Sequence, residues 1–176
     1  MQNKLTSKDM ILVGLLIALT VVLTRITGIS FGIVNVTFGF IGLSLTGLLF
    51  GPWIAAITGT LADLIGFFLF PPPSSYFPGY TLTAALSGLI YGFILYNKKL
   101  TVPRIFSAVF LQAILCSLLL NTLWTSILFH KAFLVILPAR ILKNVVVIPI
   151  NTFLLYMIFR YLLAYLKPLR TKSNCL

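Results

Sequence analysis

Long apolar stretches that carry almost no charge limit this chain more than any other feature of its sequence. A helix needs about 20 mostly apolar residues to cross the hydrocarbon core of a bilayer. Breaking the sequence at polar, Gly and Pro residues gives six candidate helices, at about residues 8–27, 36–50, 53–70, 80–97, 104–129 and 137–166. The sequence therefore predicts an all-α membrane protein, a bundle of six transmembrane helices.

Three of the six runs depart from the usual spanning length. The second is short and contains Gly39, Gly42 and Gly47, which indicates a broken helix or one that crosses only part of the bilayer. The fifth and sixth runs are longer than a bilayer requires, so we expect tilt or an end that projects into water.

The composition excludes the common soluble classes. Of the 176 residues, 60% are hydrophobic and 9% are charged. A water-soluble domain of this size buries roughly 70% of the surface of its unfolded chain, which would leave too much apolar surface in water. The formal net charge of +11 would suggest nucleic acid in a soluble protein, but basic ends and loops on an apolar chain fit membrane topology and anionic lipid better. We expect the lipid bilayer as a partner, and no nucleic acid.

Basic residues mark one side of the predicted bundle. Six crossings bring both termini and the loop between the fourth and fifth helices to one side, which then carries Lys4, Lys8, Lys98, Lys99, Arg104, Lys167, Arg170 and Lys172. By the positive-inside rule that side is cytoplasmic. No small-x-small cleavage pattern follows Leu23, so the first helix is expected to stay uncleaved. Residues 1–176 are expected to form a single integral membrane domain.

Catalytic chemistry is hard to build from this sequence. An intramembrane hydrolase or a metal-dependent transferase needs an acid pair, a Ser/His/acid set or a carboxylate cluster. Asp63 is the one acid well inside an apolar run, His130 is the single histidine, and Cys116 and Cys175 lie far apart. We predict no catalytic residue, no metal site, no cofactor and no enzymatic activity.

Four cations break the charge bias of the predicted topology. Arg25, Lys131, Arg140 and Lys143 fall at the outer ends of helices. A cation near the hydrocarbon is costly, so such residues usually pair with an acid or face a wet cavity. Asp63 alone cannot neutralise four cations, which favours an outward-facing cavity that accepts an anion. Alternatively, Arg25 and Lys131 reach the outer lipid headgroups and Arg140 pairs with Asp63.

The candidate substrate-binding residues lie near the same outer side and are polar or aromatic: Arg25, Asp63, Tyr76, Phe77, Tyr80, Asn121, Trp124, Arg140, Lys143 and Asn144. Arg140, Lys143 and Asn144 stand at positions i, i+3 and i+4 and share one helix face. Flat aromatics with convergent cations and amides suit a ligand that is part planar ring and part carboxylate. For Trp124 and Tyr76, the aromatic belt of a membrane interface is an alternative.

Two small residues on the first helix form a candidate contact surface. Gly14 and Ala18 are four residues apart, a spacing that lets another helix approach closely. Packing within the same bundle and docking of a separate subunit both remain open. A bundle that carries an outward binding site and no motor of its own would need a partner to transport its ligand.

Several motifs give the chain a family resemblance over about residues 8–165. The segments GLLFGPW at 47–53, DLIG at 63–66, YFPGY at 76–80 and GLIYG at 88–92 resemble the substrate-binding S components of energy-coupling-factor vitamin transporters. The segments NTLW at 121–124 and LPARILKN at 137–144 look like the folate branch of that family. Gly14 and Ala18 match the small-residue contact of the family's first helix, which usually has two alanines.

The resemblance implies a six-helix subunit of a bacterial plasma membrane that captures folate outside the cell. It also implies three partners, one transmembrane coupling subunit and two ATPases. In this family the S component is expected to topple within the membrane when it carries its ligand. Folate has a flat pterin, an aromatic linker and two carboxylates. The resemblance therefore suggests a role for each type of candidate site residue. Arg25, Arg140 and Lys143 would bind carboxylates or the pterin oxygen. The aromatic residues would stack on the ligand or occlude it, and the amides would form hydrogen bonds. Asp63 would accept from pterin amino groups or hold a cation.

Other functions are compatible with parts of the pattern. An S component for another vitamin, such as riboflavin or thiamine, would share the fold, although the outer cations argue against cationic thiamine. A stand-alone carrier or channel would normally show an acid or histidine relay inside the membrane, and often inverted repeats. A structural scaffold would leave the outer polar cluster unexplained.

Overall fold

The computed structural model of the chain describes residues 7–25, 29–31, 34–70, 77–98, 100–129 and 133–171. These segments form helices with one short hairpin. In chain order the elements are α1 (Ser7–Arg25), β1 (Ile29–Phe31), β2 (Val34–Val36), α2 (Phe40–Phe50), α3 (Pro52–Leu69), α4 (Pro78–Leu95), α5 (Val102–Gln112), a π-helical segment (Ala113–Leu120), α6 (Asn121–Phe129) and α7 (Phe133–Thr171).

Five helical segments of the described chain are long and apolar enough to cross a membrane. They are Ser7–Arg25, Pro52–Leu69, Pro78–Leu95, Val102–Leu128 and Arg140–Tyr161. Each matches one of the predicted runs, so the prediction of a helical membrane protein is confirmed. Pro lies in the first turn of α3, α4 and α5, where its missing N–H costs no hydrogen bond.

The second predicted run is only partly helical. The start predicted at residue 36 is wrong, because Val34–Val36 pairs with Ile29–Phe31 as an antiparallel hairpin in which Phe31 lies opposite Val34. Aromatic and β-branched residues favour such extended pairing. Helix α2 begins only at Phe40 and has 11 residues. At 1.5 Å per residue it is about 16 Å long, roughly half of the hydrocarbon thickness.

Glycine allows the second, third and fourth helices to pack closely. A side chain at Gly92 would collide with the backbone of Pro52, and one at Gly88 would collide with the Ala55 carbonyl. Gly51, with φ of 90°, ends α2 and directs the chain into α3. A residue with a Cβ is strained at that φ. Two of the motif segments, 47–53 and 88–92, therefore include positions where backbones meet or the chain turns.

The fifth and sixth predicted runs are helical, but the observed helices differ from them in their bounds and hydrogen-bond pattern. The run predicted at 104–129 is one continuous helical segment that starts at Val102 and changes from α to π hydrogen bonding at Ala113. The Asn121 N–H accordingly donates to the carbonyl of Cys116, five residues earlier. Helix α7 has 39 residues and runs beyond the predicted 137–166 at both ends.

The two ends of the bundle differ in polarity. One end, which we call the hairpin end, holds the hairpin, the last turns of α1 and α3, and the first turns of α2 and α4. Towards the opposite end lies a core of buried apolar side chains, including Leu95, Ile105, Leu155 and Phe159. The hairpin end is where the polar residues meet.

Candidate functional site

A cavity of about 280 Å³ opens between the helices towards the hairpin end. Its walls come from α1 to α5, the π-helical segment, α6 and α7. Six of the predicted site residues line it: Arg25, Asp63, Tyr80, Asn121, Lys143 and Asn144. The packing of the helices therefore brings residues that are far apart in sequence to the same cavity.

Arg25 and Asp63 form an ion pair at one wall of the cavity. The Arg25 Nη2 atom lies 3.7 Å from Asp63 Oδ1, and both side chains are about one-fifth exposed, at 20% and 23%. The Thr81 hydroxyl donates to Asp63 Oδ2 over 2.7 Å. A Cβ at Gly66 would lie 2.8 Å from Arg25 Nε, so the glycine makes room for the guanidinium. The alternative in which Asp63 pairs with Arg140 is wrong, because Asp63 pairs with Arg25.

The predicted polar face of α7 divides between two surroundings. Lys143 and Asn144 line the cavity. Arg140 lies outside the cavity wall and reaches the neighbouring helical segment, where Nη1 donates to the Ser117 carbonyl over 3.1 Å and Nη2 donates to Thr125 Oγ1 over 2.6 Å. Lys143 and Asn144 therefore face the cavity, whereas Arg140 forms hydrogen bonds to the helical segment that makes up part of its wall.

Two amide side chains present unsatisfied atoms at the cavity. Asn144 Oδ1 accepts from the Ser117 hydroxyl over 3.2 Å, but its Nδ2 is buried without a hydrogen-bond partner among the described residues. Asn121 Oδ1 is likewise buried without a hydrogen-bond partner among the described residues. A buried polar atom left unpaired costs about 1–3 kcal/mol, so a ligand that pairs with these atoms recovers that energy.

The aromatic residues are layered behind the cavity. Tyr80 lines it, whereas Phe77 and Trp124 lie behind the wall with ring centroids 5.4 Å apart. Trp124 Nε1 donates to Thr83 Oγ1 over 3.0 Å, and the two rings cover Gly79, which has no side chain to displace them. Tyr76, also predicted for the site, lies outside the described residues.

Several cavity residues were missed by sequence reasoning. They are single polar side chains within apolar helices, among them Thr24, Thr83, Ser87, Gln112, Ser117 and Asn151. Isolated Ser and Thr are common in membrane helices and give no distinct signal. Asn151 was within reach, because it stands seven residues after Asn144 and therefore on the same face of the predicted sixth helix.

The small residues of α1 face away from the bundle. Gly14 and Ala18 are both exposed, and beyond the local backbone of α1 no described atom lies within 4 Å of the position a Cβ would take at Gly14. Their neighbours on α1 include Met10 and Leu15, which are 65% and 63% exposed. Within the described chain, these residues do not mediate packing between its own helices.

Apolar helices around a cavity lined by cations and amides define a membrane-embedded protein that binds a small solute. Within the described residues, no three His, Cys, Asp or Glu side chains are grouped to hold a metal ion. Residues 8–159 match the family of the substrate-specific components of ECF transporters, and the chain belongs to that family. The resemblance seen in the motifs is thereby confirmed. The family is one of transporters, not enzymes, and the chain is a multi-pass protein of the bacterial plasma membrane.

Curated relatives and a solved structure agree with this assignment. The chain is 39% identical over 147 residues to "Folate transporter FolT" of Clostridium novyi (strain NT), covering 84% of this chain and 85% of that relative. It is 30% identical over 159 residues to the protein of the same name from Leuconostoc mesenteroides, covering 87% and 85%. The structure described as "Crystal structure of FolT bound with folic acid" superposes with a TM-score of 0.79 at 37% identity, covering 85% of this chain and 90% of that one.

Proposed function

We propose that this chain is the folate-binding S component of an energy-coupling-factor transporter, which captures folate outside the cell and delivers it through an ATP-driven module. The observation that carries the proposal is the cavity itself, which is lined by two cations and by two amide side chains, each with a buried atom that has no hydrogen-bond partner among the described residues. Folate has a flat pterin with donors and acceptors and a tail with two carboxylates. The fold matches a structure described as FolT bound with folic acid, which supports this choice over another vitamin.

The residues divide into proposed roles by their position. Arg25 and Lys143 line the cavity and would bind the carboxylates or the pterin oxygen. Asn121 and Asn144 would hydrogen-bond the ligand, and Tyr80 would pack against a ring. Asp63 already accepts from Thr81 and pairs with Arg25, which supports a role in holding the cation. Phe77, Tyr76 and Trp124 would occlude the ligand.

The proposed topology has six crossings in one integral membrane domain, with both termini in the cytoplasm. Helix α2 would cross part of the bilayer and the hairpin would cover the rest of that path. The cavity would open towards the outside. The basic residues near the termini and between α4 and α5 would then face the cytoplasm.

Delivery would require partners, because the sequence offers no recognisable nucleotide-binding motif. We propose one transmembrane coupling subunit and two ATPases as those partners. The exposed Gly14 and Ala18 would be the surface on which the coupling subunit docks, since small residues allow two helices to approach closely.

Calorimetry on the detergent-purified protein tests the binding function. Folate should bind without ATP, while thiamine, a cation, should produce little heat. Lys143→Ala should weaken folate binding by about tenfold or more, because losing one charged contact in a buried site costs roughly 2–5 kcal/mol. Arg160→Ala removes an exposed cation from the same helix and is the matched control. No folate heat at high micromolar concentration would overturn the proposed ligand.

A further inference from the structure

The π-helical segment Ala113–Leu120 forms part of the cavity wall, and its geometry affects which side chains reach the cavity. Val109, Ala113, Ser117 and Asn121 all line the cavity at intervals of four residues. In an α-helix a step of four residues advances by about 400°, so three such steps would drift by about 120° around the helix. The wider turns of π hydrogen bonding hold more residues and offset that drift. The π-helical segment therefore keeps these four side chains on the side of the helix that faces the cavity.

Two residues of α7 hold the π-helical segment at the same point. Arg140 Nη1 donates to the Ser117 carbonyl, and one turn later Asn144 Oδ1 accepts from the Ser117 hydroxyl. The second nitrogen of Arg140, Nη2, donates to Thr125 Oγ1 in α6 over 2.6 Å. A planar guanidinium suits this arrangement because its nitrogens are fixed relative to one another and can bind two acceptors at once.

The Arg140 contacts extend to two side chains of the cavity. The Thr125 hydroxyl donates its single hydrogen to the Asn121 carbonyl over 2.6 Å. Its oxygen lies 3.2 Å from the Tyr80 hydroxyl, so Tyr80 must be the donor of that bond. The Tyr80 oxygen then offers lone pairs to a ligand, and the backbone of Asn121 is fixed beside it.

From these contacts we infer that Arg140 is a positioning residue: it fastens the π-helical segment and α6 to α7 and thereby aims Asn121 and Tyr80 at the ligand. This inference rests on the proposed function for the identity of the ligand. The contacts that define the role join protein atoms only, so they can be tested without ligand. A residue that only binds a folate carboxylate would leave the ligand-free protein unchanged.

The test combines fluorescence of the ligand-free protein with folate calorimetry. Trp53→Phe leaves Trp124 as the single tryptophan, and Trp124 lies one residue before Thr125. In that background, Arg140→Ala should shift the Trp124 emission without ligand and should weaken folate by roughly tenfold or more, as loss of supporting residues does around other sites. Arg140→Lys should restore neither property in full, because lysine has a single nitrogen in place of the two nitrogens that the guanidinium holds in fixed positions for the two acceptors. Arg160→Ala should change neither.

Thr125→Val is the milder variant and keeps the proposal testable if Arg140→Ala does not fold. It should reproduce the emission shift and part of the affinity loss, and in the double variant the two losses should be clearly less than additive. Unchanged emission in both single variants, additive losses, or full restoration by Arg140→Lys would each overturn the positioning role. If the wild type does not bind folate, the proposed function fails while the emission shift still decides the role of Arg140.

Discussion

At the scale of single residues, the ion pair of Arg25 and Asp63 shows how the cavity manages its charge. The two side chains are partly exposed and 3.7 Å apart, a geometry that contributes little to stability. Both side chains line the cavity, and Asp63 has a second partner in Thr81. We therefore expect the pair to serve mainly to hold the guanidinium in place.

This arrangement predicts an ordered set of affinities. Arg25→Ala should weaken folate by about tenfold or more through the lost charged contact. Asp63→Asn should weaken it by a smaller factor, because Arg25 stays present but is less well held. Calorimetry on the double variant should give nearly the affinity of Arg25→Ala alone. A larger loss for Asp63→Asn than for Arg25→Ala would mean that the carboxylate itself binds the ligand.

At the scale of elements, the packing of α3 against α4 depends on backbone contact. Gly88 faces the Ala55 carbonyl at a distance that leaves no room for a methyl group. Gly14, in contrast, faces open space on α1. The same change from glycine to alanine therefore has opposite consequences at the two sites.

Gly88→Ala should lower the melting temperature, because overpacking a tight contact costs about 1–3 kcal/mol. Gly14→Ala is the matched control, and it should leave the melting temperature unchanged or raise it slightly, since alanine favours helix. Thermal unfolding of both variants in the same detergent measures the difference. Equal melting temperatures would show that α3 and α4 can separate at Gly88 at no cost.

The helices could be predicted from the sequence because runs of apolar residues report directly on the lipid that surrounds them. The hairpin could not, because residues 29–36 are as apolar as a helix end and their pairing depends on contacts across the strands. The π-helical segment was also missed, since its hydrogen-bond register leaves no mark on composition. Arg140, Lys143 and Asn144 were correctly grouped on α7. Their division between cavity and wall depends on Ser117 and Thr125 of other elements.

At the scale of the whole molecule, helix α1 contributes one set of residues to the cavity and exposes another set for the proposed docking of the coupling subunit. Gly14 and Ala18 are exposed, while α1 reaches the cavity through Thr20, Thr24 and Arg25. A bulky side chain on the exposed positions should keep the coupling subunit at a distance and leave the cavity intact.

Gly14→Leu and Ala18→Leu should therefore retain the folate affinity and melting temperature of the wild type, while cellular uptake and copurification of the ATPases fall. Ser107→Leu, which adds the same bulk at an exposed site on α5, should retain uptake. Normal uptake in both α1 variants would contradict docking at this surface. A joint loss of affinity and thermal stability would show instead that α1 packs through these residues.

The part of the apolar core that lies beyond the cavity has a consequence for how the molecule fluctuates. Backbone amides open to solvent least often where apolar packing is densest. Without folate, amide hydrogens around Leu95, Ile105 and Phe159 should therefore exchange slowly, and those around Asp63, Tyr80 and Asn121 quickly. Hydrogen–deuterium exchange should show that folate slows the second group and leaves the first unchanged. The bundle would then keep one permanently rigid end, while the other becomes ordered each time a ligand is taken up.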